Sequence, residues 1–353
     1  MGCGGILQNE DPEKPFYTPK AIDENAGLYC QRCYKMRHYG EVIGTSLDRE
    51  DYLDMLGAID DNALIVLLVD LFDVDGSLVP AYKSLDKGDN LLILANKSDI
   101  LPRQVNPAKI KHRLNALLHE EGYRPIGLEL ISALSKRGVE RALKAIDTHA
   151  KGRDVYLVGA TNVGKSTLVN GMIDAEASPI TTFYAPGTTQ SFIEIPFEDK
   201  RLFDTPGLFN RNHYYNLLDA DSLKAVQPRK PIRPRSYKLE PNHTLFLGAL
   251  ARIDFLSGLP TSFIIHAGEG LTIHRTKMLK ADELYAEKAA ETLTPPFDSS
   301  HVHDMQAHQF PVKREEKCDI VFPGLAFVSL KGSGVLRVYT PKGVTPYQRE
   351  ALL

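Results

Sequence analysis

The sequence predicts an α/β protein built on a parallel sheet, and three adjoining stretches carry that class. Asp154-Val155-Tyr156-Leu157-Val158 reads as a short buried strand, Gly159-Ala160-Thr161-Asn162-Val163-Gly164-Lys165-Ser166-Thr167 fits G-x-x-x-x-G-K-[ST] without a mismatch, and Ser166 to Ile173 continues with helical apolar spacing. Strand, loop and helix are the context in which glycines let backbone N–H groups converge on phosphate oxygens, while Lys165 supplies a point charge and Ser166 a hydroxyl for magnesium. A nucleotide triphosphate site follows. Lys165 is expected to be a surface lysine that serves the ligand and packs little.

With 353 residues, 43% hydrophobic and 25% charged, the chain is long enough for two or three domains with real cores. The longest wholly apolar run, Ala63 to Val69, is far shorter than the roughly 20 residues of a membrane span, and the start lacks a basic-then-apolar secretory pattern. No membrane association and a cytoplasmic location are expected. Four cysteines suit metal ligation in a reducing compartment better than a disulfide framework. A net charge of -3 requires any nucleic-acid contact to come from local basic patches, and DNA is not an expected partner.

Residues 1–45 hold Cys3 and Cys30-Gln31-Arg32-Cys33 in a stretch with little periodicity, which calls for a staple. Cys3, Cys30 and Cys33 are the candidate ligands of a structural zinc site, a knuckle with Arg32, Lys35, Arg37 and His38 around its second pair. A closed site wants four ligands. If the first half is also C-x-x-C, its missing member falls one position before Met1, and His38 is the other candidate.

Asp48 to Ile59 reads as a helix, and Leu64 to Val69, ending at Asp70, as a buried parallel strand. Leu91 to Ala95 is a second such strand and ends at Asn96-Lys97-Ser98-Asp99. In this N-K-x-D pattern the aspartate accepts two hydrogen bonds from guanine N1–H and the 2-amino group, a pair that adenine does not offer, so an ATP-driven enzyme conflicts with it. The carboxyl end of a strand is where open α/β sheets hold ligands. An amphipathic stretch from Pro107 to Glu121, a strand at Gly127 to Ile131, Ser132-Ala133 placed to cap the base, and a helix from Val139 to Ala150 lead into the P-loop strand.

Beyond the P-loop helix, Thr181 to Thr189 is a loop ending in Pro186-Gly187-Thr188-Thr189, and Ser191–Phe197 with Lys200–Phe203 reads as a hairpin. The hairpin delivers Asp204-Thr205-Pro206-Gly207, with Asp204 placed to hold magnesium through water and the Gly207 N–H to meet a terminal phosphate. Residues 228–235 carry four basic residues and three prolines, and so form either an extended arm for phosphate backbones or a solvated linker. Strands at 244–247, 262–266, 319–321, 326–330 and 336–339 and a helix over 280–292 make an α+β or mostly β module. Cys318 reads as a buried thiol, and His301, His303 and His308 as residues of a loop rather than a metal site.

The base motif and Ser132-Ala133 precede the phosphate loop, and Asp204 to Gly207 comes last, whereas ordinary small GTPases run the other way. The chain therefore looks like a circularly permuted P-loop GTPase. With its N-terminal cysteines and Pro-Gly-Thr-Thr loop it resembles the YqeH family of bacterial ribosome-assembly GTPases. The resemblance implies an N-terminal zinc knuckle at 1–45, a permuted GTPase domain at 46–215 and a C-terminal RNA- or protein-binding domain at 216–353, acting in assembly of the small ribosomal subunit. Carried over by motif, Asn96, Lys97 and Asp99 bind the base with Ser132 and Ala133. Gly159, Thr161, Asn162, Val163, Gly164, Lys165, Ser166 and Thr167 take the phosphates of GTP or GDP, and Ser166, Thr189 and Asp204 the magnesium. Lys165, Asn162, Thr189 and Gly207 are the candidate catalytic groups. The absent fourth cysteine departs from the family pattern and leaves zinc loading open.

Leu208 stands where many GTPases place a water-orienting glutamine, so hydrolysis is expected to be slow or assisted. Asn162 resembles an asparagine that helps related GTPases bind potassium beside the phosphates, in place of an arginine finger. Two functions stay open: a GTP-hydrolysing switch, or an RNA-binding module in which guanine nucleotide is structural. The oligomeric state is not legible.

Overall fold

The computed structural model describes residues 9, 17–18, 49–176, 181–184, 191–197, 200–208, 210–313 and 317–353, and the structural statements below concern these. They divide into two compact units, one formed by the chain through Ser98 together with Asn115–Asn210, the other by Asp99–Leu114 together with Arg211–Leu353.

In the first unit, α1 (Arg49–Gly57) precedes β1 (Leu64–Asp70) and β2 (Leu91–Asn96); α2 (Pro107–Glu120), which belongs to the second unit through Leu114, leads to β3 (Gly127–Leu130) and α3 (Lys136–Ala150) of the first. Then come β4 (Val155–Gly159), α4 (Lys165–Glu176), β5 (Thr181–Tyr184), β6 (Ser191–Phe197) and β7 (Lys200–Asp204). They form one seven-stranded sheet in the order β3-β2-β1-β4-β7-β6-β5. β1, β2, β3, β4 and β7 run parallel, and β5 and β6 add an antiparallel edge. β1 and β2 are buried along their whole length, as near-continuous apolar runs in a sheet covered on both faces require. Their facing residues pack with Val139, Ala142 and Ile146 of α3 and Leu168 and Met172 of α4 in one core.

The first turn of α3 is set by its cap. Ser135 Oγ accepts from the Gly138 N–H at 3.0 Å, and a Cβ on Gly138 would overlap the Ser132 carbonyl, so a glycine lets the helix start directly against the Ser132-Ala133 loop. The chain order is that of a permuted GTPase domain, because β2 with its base motif comes before β4 and the phosphate loop.

The second unit contains α5 (Ala220–Val226), β8 (Arg235–Leu239), β9 (His243–Leu247), β10 (Ala251–Gly258), β11 (Thr261–Ala267), β12 (Ile273–Lys277) and α6 (Ala281–Lys288). It ends with β13 (Met305–Val312), β14 (Lys317–Phe322), β15 (Ala326–Lys331), β16 (Gly334–Pro341) and β17 (Tyr347–Glu350). Two antiparallel five-stranded sheets, β12-β9-β10-β16-β13 and β17-β14-β15-β11-β8, share a core that includes Leu245, Ile253, Phe263, Phe322, Val328 and Leu336. The module is mostly β, and Cys318 is buried in its core as expected.

Several readings of this unit are corrected. α6 stops at Lys288 rather than 292, where Ala290 turns into the left-handed region at φ 64° and the Leu293 N–H returns to the Lys288 carbonyl. His308 lies on β13, not in a loop, while His301 faces Asp219 at 3.3 Å and His303 approaches the Leu217 carbonyl, so the three histidines have separate surroundings. The basic stretch at 228–235 is neither a free arm nor a mere linker. Ile232 is buried with its N–H on the Ile100 carbonyl, and Arg235 is spent on the Leu271 and Gly268 carbonyls, which leaves Arg229, Lys230 and Arg233 exposed.

Candidate functional site

The carboxyl ends of β1, β2 and β4 lie side by side, with Asp70 opposite Asn96 and Leu68 opposite Gly159 in register. The loops that leave these strands therefore converge at one edge of the sheet. Asn96 is the tie between them. Its side chain is 2% exposed, its Nδ2 donates to the Val163 carbonyl of the phosphate loop at 2.8 Å, and its Oδ1 accepts from the Ala133 N–H at 2.9 Å. One amide thus joins its own stretch to two others, 37 and 67 residues away in sequence. Gly164 completes the fit: it sits at φ 94°, and a Cβ there would overlap Asn96 Nδ2.

The phosphate loop carries the left-handed turn that presents backbone N–H groups, with Asn162 exposed at φ 65° before Gly164. A Cβ on Gly159 would crowd the Val163 side chain and the Leu68 carbonyl, and the Thr161 N–H donates to the Leu208 carbonyl at 2.9 Å. Ala160 and Leu208 form a parallel bridge, so the loop and the Asp204–Leu208 segment are one assembly, with Gly207 packed beside the Thr161 backbone.

Lys165 corrects the expectation of a loosely packed surface lysine. It opens α4, is 9% exposed, and its Nζ contacts Asp204 Oδ1 at 2.6 Å and the Thr205 carbonyl oxygen. Ser166 and Thr167 follow it on the first turn of α4, Ser166 half-buried and Thr167 exposed.

At the base end, Lys97 adopts φ 64°, and its ammonium lies 2.5 Å from Asp70 Oδ2. Burial pushes the Asp70 carboxyl up, and the Lys97 ammonium opposes that shift. Asp70 was not among the sequence candidates, although its signal was present as a charged residue closing an otherwise apolar strand. Asp99 is exposed in the single turn Ser98–Ile100 just after β2, and the Ser98 N–H donates to the Ile131 carbonyl. Ser132 is 8% exposed, and its hydroxyl has no hydrogen-bond partner among the described residues. Thr189 and the zinc candidates Cys3, Cys30 and Cys33, with His38, lie outside the described residues. Among the described residues no group of three or more His, Cys, Asp or Glu side chains is placed to hold a metal, and no helix is long and apolar enough to cross a membrane.

Comparison with known proteins bears on the same residues. Residues 154–236 match the family model described as a 50S ribosome-binding GTPase, and residues 260–352 match that of the YqeH-like C-terminal domain. The protein YqeH of Bacillus subtilis, itself described as uncharacterized, is 37% identical over 361 residues, covering 100% of this chain and 98% of its own. The chain belongs to the YqeH family of GTPases. More distant relatives cover nearly all of it: a rice protein named putative nitric oxide synthase is 28% identical over 99% of this chain and 76% of its own length. Human nitric oxide-associated protein 1 is 26% identical over 100% of this chain and 74% of its own.

The family implies guanine nucleotide and magnesium, and the residues present fit both. The orphaned Ser132 hydroxyl, the glycine positions that side chains would fill, and the left-handed turn of the loop make a cradle that suits a nucleotide. The buried Asp204 carboxylate and the half-buried Ser166 hydroxyl on the first turn of α4 are oxygen donors, the donor class a hard divalent cation takes.

Proposed function

We propose that this chain is a cytoplasmic guanine-nucleotide switch whose GTP hydrolysis gates association with an assembling small ribosomal subunit or its RNA. The single observation that carries the reading is Asn96, whose buried amide binds base motif, Ser132-Ala133 loop and phosphate loop into one unit. In this reading Asp99 accepts from guanine N1–H and its 2-amino group, with Lys97 against the base and Ser132 and Ala133 capping it. The loop N–H groups from Gly159 to Thr167 and the Lys165 ammonium hold the phosphates.

Ser166, Thr189 and Asp204 are the candidate magnesium residues, and magnesium when bound neutralises charge between the outer phosphates. Lys165 releases the oxygens of Asp204 and Thr205 to face phosphate, and the Gly207 N–H donates toward the terminal phosphate. Leu208 has no polar group with which to orient water, so the compensating charge comes from elsewhere. Asn162, exposed in the phosphate loop, is the residue that would share a potassium ion with nucleotide oxygens. Cys3, Cys30 and Cys33 are the candidate ligands of a zinc knuckle, and the exposed Arg229, Lys230 and Arg233 of residues 216–353 meet RNA phosphates.

The test is multiple-turnover GTP hydrolysis alone, with small-subunit particles and with large-subunit particles, the last because a matching family model is described by the 50S particle. Turnover stimulated by small-subunit particles supports the proposal. Stimulation by large-subunit particles only overturns the choice of subunit, and tight GTP binding with no turnover in any arm overturns the switch in favour of structural nucleotide. Replacing sodium by potassium at constant ionic strength raises turnover if Asn162 holds the ion, and Asn162→Ala removes most of that rise.

A further inference from the structure

Behind the Asp204–Leu208 segment lies a run of buried hydroxyls that no sequence motif announces. Tyr52 of α1 and Tyr82 of the short helix Pro80–Leu85 are 0% and 1% exposed, their rings meet edge to face, and their hydroxyls lie 3.3 Å apart. The Tyr52 hydroxyl also hydrogen-bonds the Thr205 side chain, and the backbone of Leu208 hydrogen-bonds Tyr82. Thr205 Oγ1 in turn donates to the Leu157 carbonyl of β4 at 3.0 Å.

Each hydroxyl has one proton to give, and buried phenols left without partners are costly. The groups form one connected run: the Leu208 backbone with Tyr82, Tyr82 with Tyr52, Tyr52 with Thr205, and Thr205 with the Leu157 carbonyl. The run fastens Thr205 and Leu208 of the five-residue arc Asp204–Leu208 and leaves Pro206 and Gly207 between them. The same arc carries Asp204, which holds Lys165, and Gly207, which packs beside Thr161 of the phosphate loop.

We infer that Tyr52 and Tyr82 are positioning residues that hold the Asp204–Leu208 arc in the conformation that reads a terminal phosphate, and that through Tyr52 the nucleotide state is reported to α1. The inference rests on the reading of this edge as a guanine-nucleotide site. A diphosphate ends before the arc and needs only the phosphate loop and base motif, whereas a triphosphate needs the arc in register. Loss of one phenol oxygen therefore acts on one nucleotide and spares the other.

The experiment uses the full chain with Tyr52→Phe and, separately, Tyr82→Phe, each keeping the ring and its packing. Affinity for GDP and for a non-hydrolysable GTP analogue is measured by calorimetry with magnesium, beside a melting curve. Losing one buried hydrogen bond in the arc is expected to weaken the analogue by about ten-fold while GDP stays within about two-fold. Equal loss for both nucleotides, or no loss for either, overturns the inference, because a purely structural role lowers the melting temperature without changing the ratio. If neither variant folds, hydrogen exchange on the native protein decides: residues 49–57 must exchange more slowly with the analogue than with GDP, and equal exchange overturns the inference. Failure of the native protein to bind either guanine nucleotide is a separate result, which removes the site reading itself.

Discussion

Replacing Asn96 by alanine tests whether the site is held by one side chain. The substitution deletes the donor to Val163 and the acceptor of Ala133, and leaves a backbone carbonyl and an N–H unsatisfied where the native side chain is 2% exposed. An orphaned buried polar group costs about 1–3 kcal/mol, and water entering the vacated space recovers part of the two penalties, so a loss of about 2–4 kcal/mol is expected. For a cooperative unit of this size that corresponds to a fall in melting temperature of roughly 5–15 °C. The assay is thermal unfolding of nucleotide-free protein followed by circular dichroism, with Asn96→Asp in parallel. Aspartate keeps the acceptor for Ala133 but sets a carboxylate oxygen where the amide nitrogen stood, 2.8 Å from the Val163 carbonyl, so it should be no better than alanine. A variant Asn96→Ala that melts within about 1 °C of the native protein, or Asn96→Asp that melts like it, refutes the reasoning.

Three other outcomes are expected. Lys165→Ala should abolish triphosphate binding and also destabilise the nucleotide-free protein by more than the ~0.5 kcal/mol typical of surface sites, because it leaves the buried Asp204 carboxylate without its cation; chemical denaturation checks the second part. Asp99→Asn swaps an acceptor for a donor and should shift preference from guanine to xanthine nucleotides, measured by competition binding; unchanged preference counts against Asp99 as the base-reading group. Burial pushes His266, stacked on Phe327, down to about 4. Its folded-state value lies below the unfolded one near 6.5, so the unfolded chain takes up the proton first and stability falls as pH drops from about 6.5 to 4, by up to about 3 kcal/mol. His266→Phe should flatten that part of the stability profile, and an unchanged slope would exclude His266 as its source.

Much of the site was legible because its chemistry is local. The glycine-lysine-serine spacing around Gly164, Lys165 and Ser166 and the Asn96-to-Asp99 tetrapeptide each fit within a turn, and their flanking strands announced themselves as unbroken apolar runs. The mostly β character of the second unit was legible from short alternating segments. Its edge strands β8, β12, β13 and β17 were not, because polar residues such as Arg235, Lys238, Arg275 and Gln348 interrupt the apolar signal where one side faces solvent, nor was the central β10, whose apolar run is broken by the buried pair Arg252 and Asp254.

The sequence by itself determined the ligand class, the order of motifs that makes the domain permuted, and the strands that carry them. Each of these depends on residues a few positions apart, whose backbone preferences and donor sets do not need the rest of the chain. What only the tertiary structure decided is how those motifs are held. Asn96 bridges segments 37 and 67 residues away, Lys165 is buried on Asp204 rather than free at the surface, and Asp70 receives Lys97. Tyr52, Tyr82 and Thr205 are joined only when α1 packs behind the arc. Such ties arise where sheet register brings the carboxyl ends of strands together, and register is set by the packing of both faces at once.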